Sequence, residues 1–241
     1  MAGHNKWSKI KNKKGAADAK RGAMFSRLGK AIAIAAREGG GDVGMNFKLR
    51  VAVDTAKAAN MPNDNIERAI KRGTGEDGGG EMFEGVYEAY GPGGVAIVVE
   101  TLSDNKNRVV ADVTSTLKKA GATPADQGSV LFNFERKSVV TVLDPKAQVE
   151  DMDALELAMI DAGADDLEIE DEGMTIYAEL AAFQKIVEAV EAAGLKPDEA
   201  GLEYVAKMPV DIDELTQEKL DKIIDALEEL DDVQSVFTSA K

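Results

Sequence analysis

The fold is decided by residues 138–179, which read SVVTVLDPKAQVEDMDALELAMIDAGADDLEIEDEGMTIYAE. Strand-type and helix-type hydrophobic patterns alternate through this stretch and just beyond it. The patterned segments are 138–143, 151–162, 166–170, 174–179, 181–193 and 201–207. Their order, β-α-β-β-α-β, is typical of the split βαβ or ferredoxin-like plan. The pattern therefore predicts an α+β domain over residues 136–207.

The segments on either side of this domain predict a second α+β domain made of two pieces. Upstream, the patterned segments are strands over 85–90, 95–101 and 129–135 and a helix over 107–120. Downstream, they are a helix over 216–230 and a strand over 233–238. Neither piece closes a sheet of its own, so we expect residues 82–135 and 208–241 to form one discontinuous domain that holds the other as an insertion.

The first third of the chain predicts three short helices behind a polar arm. The helices begin near Ala16, Asn46 and Asn63, with Asn63 and Asp64 as a capping pair. We expect Gly73 to end the third helix, and five glycines over 73–80 to form a flexible linker that lets the helices move relative to the rest.

The predicted fold class is therefore α+β with three domains. A three-helix domain covers residues 1–77, and two α+β, ferredoxin-like domains follow, one inserted in the other.

Charge divides the chain in the same place. The formal net charge is −15, yet residues 1–74 hold 16 Lys or Arg against 6 Asp or Glu, and residues 75–241 hold 13 against 38. A cationic third on an anionic body indicates two surfaces with different partners, and the cationic one suits a polyanion.

Composition also excludes several classes of protein. With no cysteine the chain forms no disulfide, thiolate metal site or cysteine nucleophile. No apolar run approaches the ~20 residues that span a bilayer, and the charged N-terminus is unlike a secretory signal. We expect a cytoplasmic protein that does not bind membranes.

The candidate site is a set of side chains in the basic third that suit phosphate, with Trp7 able to stack on a base. They are His4, Lys6, Trp7, Lys9, Lys11, Lys13, Lys14, Lys20, Arg21, Arg27, Lys30, Lys48, Arg50, Arg68, Lys71 and Arg72. Lys20 and Arg27 lie two helical turns, about 10 Å, apart on one flank, so the arm and this flank are expected to form one continuous surface. The alternative is a solvated charge run that keeps the chain soluble.

Acidic clusters such as Asp165–Asp166 and Asp231–Asp232 raise the alternative of Mg²⁺-dependent phosphoryl chemistry. They fall at predicted helix ends and turns, where acids are usually solvated, and no Gly-rich loop has phosphate-binding spacing. His4 is the only histidine. The sequence therefore predicts no enzyme, no catalytic residue, no metal and no cofactor. A metal-dependent phosphoryl hydrolase is a distant third among the functions considered.

Several motifs in order resemble the signature of the YebC family. They are GHNKW at 3–7, DAKRG at 18–22, NMPNDNIERAIKRG at 60–73, YGPGG at 90–94 and DNKNR at 104–108. The chain departs from the family pattern at Asn5, where serine is usual, and at Phe47, where proline is common. The resemblance implies three domains and a regulator of transcription that binds DNA. The family also includes a mitochondrial translational activator of cytochrome oxidase.

Two functions remain open at this point. The leading prediction is a DNA-binding transcriptional regulator that contacts the phosphate backbone, and the alternative is a translation factor that binds ribosomal or messenger RNA. In either case we expect the acidic domains to contact a partner such as the ribosome or the transcription machinery.

Overall fold

The computed structural model describes residues 18–76, 83–103 and 105–241. Within these ranges the chain forms seven α-helices and eight β-strands, so the predicted α+β class is confirmed. The helices are α1 Asp18–Gly39, α2 Phe47–Ala58, α3 Asn63–Thr74, α4 Lys106–Ala120, α5 Met152–Ala162, α6 Phe183–Ala192 and α7 Glu214–Glu228. The strands are β1 Phe83–Tyr90, β2 Ala96–Ser103, β3 Thr123–Ala125, β4 Phe134–Leu143, β5 Ala164–Ile169, β6 Gly173–Ala178, β7 Glu199–Ala206 and β8 Val233–Thr238.

The described residues fall into two compact units. The larger unit contains residues 18–134 and 206–241, and the smaller unit contains residues 135–205. The predicted boundaries of three separate domains stay a prediction.

In the larger unit, α1–α3 enclose a small apolar core. Ile32 of α1, Leu49 of α2 and Ile66 of α3 are buried there. Asn46 caps α2 by accepting a hydrogen bond from the Leu49 amide (3.1 Å). Its own amide group donates to the carbonyl of Ala35 (2.7 Å), and so ties α1 to the start of α2.

Helix α3 begins at Asn63 as predicted, but its predicted cap and its predicted last residue are wrong. Pro62 is the N-cap and no side chain caps the helix, because Asn63 and Asp64 already lie inside it. The helix also runs past Gly73 to Thr74, and Gly75 ends it with φ of 81°. At Gly73 a Cβ atom would lie 2.2 Å from the carbonyl oxygen of Ala33. Gly73 is therefore the residue that lets α3 approach α1.

The larger unit also holds a four-stranded sheet in the order β3-β1-β2-β8. The β1–β2 hairpin and the β2–β8 pair are antiparallel, so the C-terminal strand completes a sheet begun far upstream. Helices α4 and α7 pack against it, with Ile97, Val113 and Ile223 in the shared core.

The strand predicted over 129–135 is wrong. The amides of Gly128, Val130 and Leu131 donate to the buried carboxylate of Glu88 at 2.5, 2.7 and 2.8 Å. They are therefore unavailable for sheet pairing, and the chain makes a turn before β4 begins at Phe134.

The smaller unit has the element order β-α-β-β-α-β, with its sheet in the order β5-β6-β4-β7. Its strands pair antiparallel where β4 and β5 meet β6, and Met159, Ile176 and Ile186 are fully buried. This is the ferredoxin-like plan that the sequence predicts. No helix in the described ranges of the chain has the length and apolar character of a membrane span.

Candidate nucleic-acid interface

Part of the predicted site lies outside the described residues. His4, Lys6, Trp7, Lys9, Lys11, Lys13 and Lys14 belong to that part. Lys20 and Arg21 lie on α1, with side chains outside the description. The seven other predicted residues are Arg27 and Lys30 on α1, Lys48 and Arg50 on α2, and Arg68, Lys71 and Arg72 on α3.

The three cations of α3 form one exposed face, which we call the α3 basic face. Arg68, Lys71 and Arg72 are spaced at i, i+3 and i+4, so they are neighbours on the helix surface. All three are exposed, whereas Ile66 and Ala69 on the opposite side are buried against α1 and α2. In the described part of the chain none of the three has an ion-pair partner.

The cations of α2 are accessible, and two of them contact neighbouring side chains. The Lys48 ammonium lies 2.9 Å from the Glu38 carboxylate, an exposed pair of the kind that contributes little to stability. The Arg50 guanidinium stacks over the Phe47 ring, 5.1 Å from its centroid. Lys57 is an exposed cation that the predicted site did not include, although its place on the polar side of α2 was visible in the helical pattern. A phosphate could therefore be contacted from α2 as well as from α3.

The cations of α1 are directed elsewhere, towards the end of α7. The Arg27 guanidinium donates to the carbonyl oxygen of Glu228 and lies 3.8 Å from its carboxylate. The Lys30 ammonium donates to the carbonyl oxygen of Asp231 and pairs with the Asp232 carboxylate at 3.0 Å. The structure thus does not bring Arg27 and Lys30 together with the α3 basic face. Sequence patterns could not reveal this pairing, because it joins residues about 200 positions apart.

Asp232 is the centre of this contact. Besides Lys30, it accepts from the Ser103 hydroxyl at 2.9 Å and from the Arg108 guanidinium at 2.9 and 3.1 Å. Burial opposes ionisation of the carboxyl, but the hydrogen bonds from Lys30, Arg108 and Ser103 outweigh it and hold the pKa of Asp232 below its usual value. Asp232 is therefore an anion at neutral pH, and it links α1 to α4 and β2.

The acidic clusters do not form a metal centre in the described residues, where no three His, Cys, Asp or Glu side chains are placed to hold an ion. Asp165 of these clusters is paired instead with Lys137, whose ammonium lies 2.8 Å from Asp165 and 3.0 Å from Glu179.

The fold and this surface define an α+β protein in which the excess of positive charge is confined to the N-terminal helices. Comparison with known families assigns it further. The model described as "TACO1/YebC protein N-terminal domain" matches residues 5–76, and the one described as "TACO1/YebC second and third domain" matches residues 82–240. The chain belongs to the TACO1/YebC family.

Relatives and a solved structure agree with this assignment. A probable transcriptional regulatory protein of Thermoanaerobacter pseudethanolicus is 46% identical, over 98% of this chain and 96% of its own length. One of the same description from Dehalococcoides mccartyi is 45% identical, over 100% and 94%. The crystal structure of the conserved hypothetical protein Aq1575 from Aquifex aeolicus superposes with a TM-score of 0.83 at 39% identity, covering 93% of this chain and 91% of the other.

Proposed function

We propose that the chain is a nucleic-acid-binding regulatory protein, and more specifically a DNA-binding regulator of transcription. The observation that carries the proposal is the α3 basic face. Its three exposed cations are neighbours on one helix face and form no ion pair with any described residue, in a chain of net charge −15. Asp64 and Glu67 lie one turn earlier on α3, yet neither forms an ion pair with them in the described structure. A phosphate backbone supplies the missing anions.

The N-terminal arm is proposed to extend this surface. Residues 1–17 contain five lysines and no acid, and the matched N-terminal family domain begins within them, at residue 5. The arm with Lys20 and Arg21 would add phosphate contacts, and Trp7 would stack on an exposed base.

The smaller unit is proposed to stay away from the nucleic acid. Residues 135–205 hold 19 acidic and 5 basic side chains, so this unit repels phosphate. We propose that it contacts a protein or ribonucleoprotein partner instead. The same observation supports the alternative function, an RNA-binding or ribosome-binding translation factor, because an acidic body suits docking better than it suits wrapping a duplex.

The relatives' shared description as transcriptional regulatory proteins supports a regulatory role in place of catalysis. We propose a binding protein of the cytoplasm without an enzymatic activity. The proposed contacts are to phosphate, and the described helices present no set of side chains suited to reading bases, so binding is proposed to have low sequence specificity.

The test is crosslinking in cells followed by sequencing of the bound DNA and RNA. The chain is compared with a variant that carries Arg68→Gln, Lys71→Gln and Arg72→Gln, and with a control that loses three exposed lysines elsewhere, Lys118→Gln, Lys119→Gln and Lys185→Gln. We expect recovered DNA to fall in the first variant only. Recovery of RNA alone would replace transcription by translation, and equal recovery from both variants would contradict the site.

A further inference from the structure

The basic flank of α1 is occupied by groups from the same unit. Arg27, Lys30 and Arg37 fall on one arc of the helix, at i, i+3 and i+10. Arg27 and Lys30 contact the end of α7 and the turn after it, and Arg37 lies 2.9 Å from the Glu84 carboxylate on β1. All three cations therefore bind anionic or carbonyl oxygen atoms within the larger unit. Among the described residues, the α3 basic face has no such partners.

The contacts of Arg27 and Lys30 form a compact charge cluster, which we call the α1–α7 clamp. It consists of Arg27, Lys30, Glu228, Asp231 and Asp232. Glu228 is the last residue of α7, where the free carbonyl groups carry the negative end of the helix dipole. Lys30 and Asp232 keep only 13% and 12% of their side-chain surface exposed, so salt screens this pair less than it screens a surface pair. The remaining contacts are more exposed, with Arg27 at 27% and Glu228 at 33%.

The oxygen atoms in the clamp accept hydrogen bonds from the same kinds of donor that bind phosphate oxygens. A carboxylate and two carbonyl oxygens accept from a guanidinium and an ammonium, which are the donors that protein–nucleic acid interfaces direct at phosphate oxygens. A phosphate that reached Arg27 or Lys30 would have to displace these acceptors, since both side chains donate to them in this structure.

We propose that the α1–α7 clamp is an autoinhibitory contact that competes with nucleic acid for Arg27 and Lys30. In the clamped state, binding is limited to the α3 basic face and its neighbours. In the released state, the flank of α1 joins the surface and the helices separate from α7. Linkage is reciprocal. If nucleic acid favours release of the clamp, a chain with a weakened clamp must bind nucleic acid more tightly than the unmodified chain does. This inference rests on the proposed function for its ligand, whereas the contact itself is tested without any ligand.

The first test measures the clamp alone, by energy transfer between two dyes. The chain has no native cysteine, so Met45→Cys in the loop before α2 and Ala111→Cys on α4 provide two exposed labelling sites in the larger unit. Asp232→Asn removes the anion that holds Lys30, and Glu229→Gln removes an equal charge from an exposed neighbour. We expect Asp232→Asn, but not Glu229→Gln, to lower energy transfer. Unchanged transfer in Asp232→Asn would overturn the clamp.

A second variant guards against a local disturbance at Asp232, which also holds Arg108 and Ser103. Lys30→Gln opens the same contact from the α1 side and leaves the Arg108 pair in place. It is expected to lower energy transfer as Asp232→Asn does, and a value equal to that of the unmodified chain would count against the clamp.

The second test adds a 20-base-pair DNA duplex or the matching RNA. Each bound duplex is expected to lower energy transfer, and Asp232→Asn is expected to bind about 3- to 10-fold more tightly than Glu229→Gln, because less binding free energy is spent on release. Equal affinities would overturn the competition. Absence of binding by every variant would overturn the proposed function and the competition together, while energy transfer would still decide whether the clamp exists.

Discussion

At the scale of single residues, Glu88 is a buried polar side chain that holds a turn outside the candidate site. It is 3% exposed and accepts three backbone amides from the turn before β4. A carboxylate suits three converging donors because it only accepts hydrogen bonds. This one side chain therefore fixes a turn that the local sequence does not specify.

Stability is expected to depend on the ionisation of Glu88. Burial raises its pKa, but the three amide donors outweigh burial and hold the pKa below its usual value. The stabilisation is therefore fully present above the ordinary glutamate pKa, and it is lost as pH falls through the lower pKa of the folded state. Glu88→Gln turns a donor towards these amides, so we expect a loss of about 1–3 kcal/mol at pH 7. Urea unfolding of Glu88→Gln and of the unmodified chain, at pH 7 and at pH 3, measures the difference in unfolding free energy.

The control for this prediction is Glu218→Gln, an exposed position on α7. It is expected to leave the unfolding free energy at pH 7 unchanged. If Glu88→Gln and Glu218→Gln unfold alike at pH 7, the turn does not depend on the carboxylate.

At the scale of elements, the sequence predicts what local periodicity determines. The order β-α-β-β-α-β of the smaller unit and the start of α2 near Asn46 could both be predicted from it. Strand β3 and the turn held by Glu88 could not, because long-range hydrogen bonds and pairing to β1 create them. The predicted end of α3 at Gly73 is wrong for the same reason. A glycine near a helix end favours a stop, but the close approach of Ala33 is a tertiary feature.

The packing of α3 on α1 is expected to be intolerant of a side chain at Gly73. In Gly73→Ala the Cβ atom would lie 2.2 Å from the Ala33 carbonyl oxygen and 2.8 Å from the Ala36 Cβ. The helices must separate, at a cost of about 1–3 kcal/mol for overpacking, which offsets the gain of about 1 kcal/mol in helix propensity. Gly201→Ala, with no atom within 4 Å of the added Cβ, is the control. A thermal unfolding midpoint that rises in Gly73→Ala would contradict this packing.

At the scale of the whole molecule, the sequence predicts the separation of charge but not which of the cations are paired within the chain. The count of charges places the cationic surface in the first 74 residues. It cannot show that Arg27 and Lys30 are paired with the segment 228–232, whereas Arg68, Lys71 and Arg72 form no ion pair with any described residue. The expected motion of the helices about a glycine linker stays a prediction. That motion would require the contacts of the α1–α7 clamp to break.

Phosphate is proposed to bind to the α3 basic face, and the salt dependence of DNA binding shows whether it does. The affinity for a fluorescent 20-base-pair duplex is measured by anisotropy between 50 and 200 mM salt. The triple variant Arg68→Gln, Lys71→Gln and Arg72→Gln is compared with the control Lys118→Gln, Lys119→Gln and Lys185→Gln. If each α3 cation neutralises one phosphate, the slope of log affinity against log salt should become shallower by about 2.7 in the triple variant and stay unchanged in the control. Identical slopes for the two variants would mean that phosphate does not bind to the α3 basic face.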